Sequence, residues 1–390
     1  MSATQLLDPL ALLAAARSET GLTQFDDPGI EEPLERLTRA LRTEAHLNEA
    51  GVHTWRGRLL NTLVTRLRAR DWFQRHPEIL EEQLPPPVVI LGLARTGTTL
   101  LHRLLATDPR FYAAAWWEVR FPVPSADDIQ GEQRIAAAKA EVAGILAAMP
   151  DLAAIHPWDA LGADEDIMLI DQTLLSTTAE SLACVPSYRD WIHGQDLRPA
   201  YRYLVRLMKF LQWQKKRRGQ RADYWVLKTP MHLGYVEVIA ELMPGATFVQ
   251  THRDPLATMP SFASFVHVLW AMGSDHPDPR EAARQWSQTL EEHLNHCLEQ
   301  RTRLPNRFID VDFRETVSAP ERVVERIYRD IGLPLTDAAR AGIRAYMSTH
   351  PREGRPKHEY TLEEFGFTRA ELEQRFRRYR EKHILPFNPA

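Results

Sequence analysis

The chain has 390 residues, with 48 basic and 52 acidic side chains and a net charge of −4 at pH 7. This balance excludes the basic field of a non-specific nucleic-acid binder, so we expect no nucleic-acid partner and only local anion sites. The length suits a large α/β domain with an additional helical part. The two cysteines, Cys184 and Cys297, show no metal-ligand spacing and form no disulfide framework, which favours a cytoplasmic location.

Residues 1–84 are predicted to form an N-terminal helical region. Leucines such as Leu34, Leu37 and Leu41 recur at three- and four-residue spacing, and the pattern indicates three helices. The prolines at 85–87 then break the pattern, so we place a domain boundary near residue 84. We expect no signal peptide, and no apolar run is long enough for an integral membrane segment.

Residues 85–390 are predicted to form an α/β domain, a P-loop-like parallel sheet flanked by helices. The run VVILG at 88–92 is typical of a buried strand, and similar runs occur at 224–228, 246–252 and 307–311. Because helical patterns alternate with these runs, the strands should be joined by right-handed crossovers in a parallel sheet. Residues from about 130 to 218 are helical throughout and are predicted to be an insertion.

The segment GLARTGTT, from Gly92 to Thr99, resembles a phosphate-binding loop that lacks its lysine. Two glycines and a threonine keep the P-loop spacing, but Thr98 stands at the lysine position. Arg95 lies three residues earlier, so a positive charge is present inside the turn. A simple tight turn is the alternative, yet the strand-turn-helix context is the one that phosphate binding requires.

Two further cations end predicted strands. Lys228 lies in LKTP and Arg253 in RDPLATMPS, each directly after an apolar run. Open α/β sheets bind ligands at the carboxyl ends of their strands, and an arginine there can clamp a phosphate. We therefore predict that Arg95, Lys228 and Arg253 converge on one polyanion.

Together, ARTGTTLL, LKTP and RDPLATMPS resemble the motifs of sulfotransferases that use 3′-phosphoadenosine 5′-phosphosulfate (PAPS). The resemblance covers about residues 86–390. The arginine form of the loop is similar to the branch containing tyrosylprotein sulfotransferases and bacterial small-molecule enzymes. It implies PAPS as co-substrate without a metal. The residues implied to bind PAPS are Arg95, Thr96, Gly97, Thr98 and Thr99 at the 5′ end, and Arg253 and Ser261 at the 3′-phosphate.

The same resemblance implies transfer of a sulfuryl group to a hydroxyl, with Arg95 and Lys228 as catalytic cations. Two residues compete for the role of general base. Glu118 follows the loop helix, and we expect burial beside tryptophans to raise its pKa towards the working pH. His232 lies two residues after Pro230, which stands where cytosolic animal members carry a histidine.

The stretch Arg352 to Gly366 is either a solvated loop or a lid, whose Arg355 or Lys357 would close on the 3′-phosphate. Aromatic residues near the expected sulfuryl position either line an acceptor pocket for a lipophilic small molecule or belong to the core. These residues are Trp116, Trp117, Phe121, Trp158 and Trp191.

Other classes of protein fit the sequence less well. A P-loop kinase or nucleotide hydrolase needs the missing lysine and an aspartate for magnesium at a strand end. A nucleotide-binding scaffold without turnover would have no reason to keep Glu118, Lys228 and His232 together. The sequence does not specify an oligomeric state, a particular acceptor or the role of residues 1–84.

Overall fold

The computed structural model describes residues 3–125, 128–148, 158–350 and 361–387. A five-stranded parallel sheet lies at its centre, with strand order β2-β3-β1-β4-β5. The strands are β1 (Pro87–Gly92), β2 (Phe111–Tyr112), β3 (Tyr224–Lys228), β4 (Thr247–His252) and β5 (Phe308–Asp312). The predicted fold class, a P-loop-like parallel sheet flanked by helices, is confirmed.

Both faces of the sheet are covered, which explains the continuous apolar run VVIL of the central strand β1. Along β1 the side chains alternate between two cores. Val89 and Leu91 pack against the larger core, whereas Val88 and Ile90 pack against the smaller one. Because β1 pairs in parallel with both β3 and β4, the carboxyl ends of these three strands lie at one edge of the sheet.

The N-terminal helices lie at Ala3–Leu6, Pro9–Thr20, Glu31–Thr43, Glu49–Arg75 and Glu78–Glu81, so the three longest match the number predicted. Their leucines, including Leu34 and Leu63, join the same core as Val89 and Leu227 of the sheet. The core is thus continuous across residue 84, and the domain boundary at that point stays a prediction.

The predicted insertion is helical where it is described. Its helices are Glu132–Ala148, Ile167–Ile170, Thr178–Leu182, Pro186–His193 and Arg198–Arg217. The remaining α-helices flank the sheet and close the C-terminal side, at Thr98–Leu105, Trp116–Arg120, Val236–Leu242, Pro255–Ala271, Pro279–Gln300, Phe313–Ser318, Pro320–Asp330, Asp337–Thr349, Arg369–Arg375 and Arg377–His383. Within the described ranges, no helix combines the length and the apolar character that crossing a membrane requires.

Candidate active site

The segment between β1 and the helix Thr98–Leu105 is a tight loop that depends on its glycines. Gly92 and Gly97 have φ angles of 151° and 86°, which glycine adopts without steric cost. A Cβ atom on Gly92 would lie 2.3 Å from Oγ1 of Thr251, so a side chain would clash with β4. The glycine spacing predicted from the sequence therefore has a steric origin.

Two residues between the glycines fix the shape of the loop. The Thr96 hydroxyl is buried and lies 2.6 Å from both the Leu93 carbonyl and Oγ1 of Thr251. Arg95 has a φ angle of 69°, a conformation that is uncommon for non-glycine residues and frequent at binding sites. The loop is therefore held against β4 in one conformation, with the helix N-terminus behind it.

Arg95, Arg253 and Ser261 come together, as predicted. Nη1 of Arg253 donates to the Arg95 carbonyl at 2.8 Å, and its guanidinium stacks 4.2 Å from the centre of the Phe313 ring. Nε of Arg95 donates to Oγ of Ser261 at 3.2 Å, from the first turns of the helix Pro255–Ala271. The two predicted anion-binding motifs therefore form one cluster at the carboxyl edge of β1 and β4.

Lys228 ends β3 and reaches the other side of the same loop. Its Nζ donates to Oε1 of Glu165 at 2.6 Å and to Oγ1 of Thr99 at 3.3 Å. Its side chain is buried, with 1% exposed. A desolvated cation between a carboxylate and a loop hydroxyl interacts strongly with any further anion that reaches it.

His232 belongs to a buried network beneath Lys228. Its Nε2 lies 2.7 Å from Oδ2 of Asp166, and its Nδ1 lies 3.0 Å from the Tyr201 hydroxyl. The other oxygen of Asp166 accepts the backbone N–H of Lys228 at 2.7 Å. Burial alone would raise the pKa of Asp166, but the His232 imidazole and the Lys228 amide lower it overall. His232 thus orients Asp166 and is not among the described residues that line the cavity.

The expectation of a raised pKa for Glu118 is wrong. Burial acts in that direction, but the ammonium of Lys215 and the guanidinium of Arg218 lower the pKa of this carboxyl overall. Lys215 donates to Oε2 at 2.5 Å, Arg218 donates to Oε1, and the Ala115 amide donates to Oε2 at 3.0 Å. Because its acceptor atoms are occupied and it does not line the cavity in the described structure, this geometry does not favour Glu118 as the general base, and that assignment stays a prediction.

An apolar cavity of about 600 Å³ opens beside the loop. Arg95, Thr98 and Thr99 form one part of its wall. Of the aromatic residues predicted for the acceptor pocket, Trp116 and Trp158 line it and pack edge to face, with ring centres 5.1 Å apart. The other three have different surroundings: Trp117 packs on Arg134 and Arg218, Phe121 lies beneath Arg120, and Trp191 packs on Tyr188 and Arg36.

Glu165 is the residue that our sequence interpretation missed. It lines the cavity, its side chain is 25% exposed, and it is paired with Lys228. The signal was the acidic run Asp164, Glu165, Asp166, which stands out in a helical insertion but has no recognisable spacing. Each of the three carboxylates contacts a basic residue: Glu165 the Lys228 ammonium, Asp166 the Lys228 amide and the His232 ring, and Asp164 the Arg103 guanidinium at 3.9 Å.

The N-terminal helix Glu49–Arg75 also contributes to the cavity, a second feature absent from the sequence interpretation. Gly51, Thr54, Trp55 and Arg58 belong to its lining. The predicted lid residues Arg355 and Lys357 lie outside the described residues.

The site combines a phosphate-type loop, cations at the ends of three parallel strands and an adjoining apolar cavity. This combination defines a nucleotide-dependent transferase of P-loop-like fold. The model of the sulfotransferase family matches residues 86–337. The chain belongs to this family, and the protein is a sulfotransferase.

Relatives and solved structures agree with this assignment. Omega-hydroxy-beta-dihydromenaquinone-9 sulfotransferase Stf3 of Mycobacterium tuberculosis is 24% identical over 296 residues, which are 72% of this chain and 71% of the relative. Protein-tyrosine sulfotransferase 1 of Danio rerio is 26% identical over 120 residues, 31% of this chain and 32% of the relative. The crystal structure of sulfotransferase STF1 from M. tuberculosis H37Rv superimposes with a TM-score of 0.82 at 28% identity, covering 96% of this chain and 99% of that one. Sulfotransferase STF9 from Mycobacterium avium gives 0.83 at 26% identity, covering 95% of both chains.

Proposed function

We propose that the protein transfers a sulfuryl group from PAPS to a hydroxyl of a lipophilic small molecule. The observation that carries this proposal is the meeting of three groups beside the cavity, two of which, Thr99 and Glu165, line it. The Lys228 ammonium bonds both to the Thr99 hydroxyl of the phosphate loop and to the Glu165 carboxylate. Donor, cation and a base for the acceptor would thus act at one point.

The residues around the loop fit the two anionic ends of PAPS. The helix N-terminus and the N–H groups of residues 96–99 suit the 5′-phosphosulfate, with Arg95 beside them. Arg253 and Ser261, which already bond to Arg95, suit the 3′-phosphate. Lys357 is a further candidate for the 3′-phosphate and stays a prediction.

Lys228 is proposed to stabilise the charge that develops on the leaving phosphate oxygen. Its stem is buried and its ammonium is held by two fixed oxygens, so little reorganisation is needed when charge grows nearby. Positive charge at the site is supplied by Lys228, Arg95 and Arg253, so the proposed reaction needs no metal. We therefore propose that turnover is unaffected by EDTA.

Glu165 is proposed as the general base instead of Glu118. It is the carboxylate that both contacts Lys228 and lines the cavity in which an acceptor would lie. When the donor approaches Lys228, the ammonium can exchange part of its bond to Glu165 for one to the donor. The carboxylate is then able to accept the proton of the acceptor hydroxyl.

The acceptor is proposed to be a lipophilic alcohol or phenol. The cavity has room for a molecule of that kind, and most of its lining surface is apolar, with Trp55, Trp116, Met231 and Phe262 among the residues that form it. The Stf3 relative is named for a hydroxylated menaquinone derivative, which supports a large apolar alcohol over a peptide.

The direct test is incubation with ³⁵S-labelled PAPS and a panel of phenols, sterols and alkyl alcohols, scored by labelled product, with Lys228→Ala as control. Donor binding is tested separately by calorimetry. 3′-Phosphoadenosine 5′-phosphate should bind at least about tenfold more tightly than AMP, because one or two charge-assisted hydrogen bonds hold the 3′-phosphate. Arg253→Ala should remove most of that difference. Equal affinities in the native protein would contradict PAPS as donor.

A further inference from the structure

One face of the N-terminal helix Glu49–Arg75 forms a wall of the cavity. Gly51, Thr54, Trp55 and Arg58 line it at spacings of three, four and seven residues, which place side chains on one side of a helix. This helix precedes residues 86–337, the part matched by the sulfotransferase family model. The wall is therefore built from a region that the donor-binding motifs do not include.

The helix is fixed in position at its N-terminal end. Gly51 packs so closely on Gly273 that a Cβ atom would lie 2.1 Å from the Gly273 oxygen. The Asn48 amide donates to the same oxygen at 2.9 Å, and its side chain donates to Asp275 at 2.7 Å. Side chains on this face are thus presented to the cavity by a rigid element.

Arg58 is the charged residue of this face. Its Nη2 donates to Oδ2 of Asp171 at 2.5 Å, and Oδ1 of Asp171 accepts from the Ser176 hydroxyl at 2.7 Å. The side chains of Arg58 and Asp171 are 17% and 7% exposed. Within the described part of the chain, Asp171 is the one hydrogen-bond partner of Arg58, although a guanidinium carries five N–H groups.

The position of these remaining N–H groups indicates a ligand. They are not among the buried polar atoms that lack a partner, so they keep exposed surface, and Arg58 is one of the residues that line the cavity. Asp171 already balances the charge of Arg58, and the neighbouring wall includes Trp55 and Met168. An uncharged oxygen is therefore the group that suits this site, because it accepts hydrogen bonds without bringing a second negative charge into an apolar cavity.

We propose that Arg58 selects acceptors that carry a second, uncharged oxygen, such as a ketone, in addition to the hydroxyl that is sulfated. The proposal rests on the proposed function, since it takes the cavity as the acceptor site. An acceptor without this oxygen would displace water from Arg58 and leave its N–H groups without hydrogen bonds. For this reason, polar pockets discriminate strongly against ligands that lack the matching group.

The test uses two alcohols that differ in one group, 4-(hydroxymethyl)benzophenone and 4-benzylbenzyl alcohol. The first has a carbonyl where the second has a methylene. Dissociation constants are measured by calorimetry with 3′-phosphoadenosine 5′-phosphate present, so no turnover is needed. In the native protein the ketone should bind at least about tenfold more tightly. Arg58→Met should abolish the preference by weakening binding of the ketone alone.

Two variants separate selection from folding. Arg68→Met removes an arginine of the same helix, whose pair with Glu19 is exposed at 3.5 Å, and should keep the preference. The double variant Arg58→Met with Asp171→Leu removes both charges, so no buried carboxylate is left unpaired, and it must lose the preference too. Retention of the preference in either Arg58 variant overturns the proposal.

Other outcomes are equally decisive. Equal affinities for the two alcohols in the native protein, or failure of both to bind, would overturn the selection by Arg58. Sulfuryl transfer from labelled PAPS is measured in parallel. A preserved ketone preference without transfer would reject the proposed function alone, and transfer without the preference would reject only the role of Arg58.

Discussion

Glu165 is the side chain on which the proposed chemistry depends most. Its replacement by glutamine keeps the shape and a hydrogen-bond acceptor for Lys228 but removes the base. We expect kcat to fall by about 10²–10⁴, the usual contribution of a general base, while the affinity for 3′-phosphoadenosine 5′-phosphate is retained. Steady-state kinetics and calorimetry measure the two quantities.

Glu141→Gln is the matched control. Glu141 also lines the cavity, and its carboxylate pairs with Arg120 at 2.9 Å, away from Lys228. This variant should stay within a few-fold of native kcat. If Glu165→Gln stays equally active, or if only its donor affinity falls, Glu165 is a structural partner of Lys228 and not the base.

Glu118 has a different expected phenotype, because its carboxylate compensates the buried Lys215 and the partly buried Arg218. Removing one partner of a buried pair leaves an uncompensated charge and typically costs about 3–5 kcal/mol. We expect Glu118→Gln to lower the free energy of unfolding by about this amount, measured by urea denaturation. The folded fraction should keep nearly native kcat, and adding Lys215→Met should restore part of the stability.

The local surroundings of Glu118 in the sequence could not reveal this role. The neighbouring Trp116 and Trp117 suggested a desolvated carboxyl, and the residue is indeed buried, with 1% exposed. Its compensating charges, Lys215 and Arg218, lie about a hundred residues later at the end of another helix. A pKa depends on such long-range partners, whereas burial beside aromatic residues is visible in the sequence.

Among the elements, the docking of the helix Glu49–Arg75 gives the clearest test. Gly51→Ala would place a methyl group 2.1 Å from the Gly273 oxygen, so the helix has to move. We expect a loss of about 1–3 kcal/mol in stability, as is typical of overpacking, and a raised acceptor KM with unchanged donor affinity. Denaturation and steady-state kinetics measure these effects.

Gly144→Ala controls for the substitution itself. This residue lies in the helix Glu132–Ala148, is not among the described residues that line the cavity, and a Cβ atom there would meet nothing within 4 Å. Replacing it should stabilise that helix by about 0.5–1 kcal/mol and leave the acceptor KM nearly unchanged. If Gly51→Ala behaves in the same way, the N-terminal helix does not set the shape of the cavity.

The strands show which elements the sequence can predict. β1, β3, β4 and β5 are five or six residues long and contain adjacent apolar residues, and each was predicted to within one residue. β2 was missed because two residues, Phe111 and Tyr112, cannot display a period. Its pairing with Tyr224 and Trp225 of β3 is a tertiary contact without a local signal.

For the molecule as a whole, the sequence predicted the donor side of the site better than the acceptor side. Arg95, Arg253 and Ser261 lie in short motifs whose positions follow from the parallel sheet, and they converge as expected. The cavity combines side chains from an N-terminal helix, an insertion and two later helices. Glu165 and Arg58 are brought to it by packing between distant segments, which no local pattern encodes.

The whole molecule should also lose stability at mildly acidic pH, because three of its buried histidines have lowered pKa values. His102, His293 and His383 are 1%, 8% and 7% exposed. Burial is the main cause that lowers the pKa of each to about 3, and nearby positive groups add to it, such as Lys228 beside His102. All three are therefore neutral in the folded protein at neutral pH.

In the unfolded chain these histidines titrate near 6.5, so the unfolded state binds more protons below that pH. Their folded pKa values are depressed, and the stability they contribute is complete above pH 6.5 and is lost as the pH falls towards 3. At pH 5 each accounts for about 2 kcal/mol, a large share of a typical total of about 5–15 kcal/mol. Urea denaturation should show a steadily falling free energy of unfolding from pH 7 to 5, a window above the titration of most carboxyls. His102→Leu should reduce that slope by about one third. A slope that is flat, or unchanged in the variant, would show that these imidazoles gain protons without unfolding.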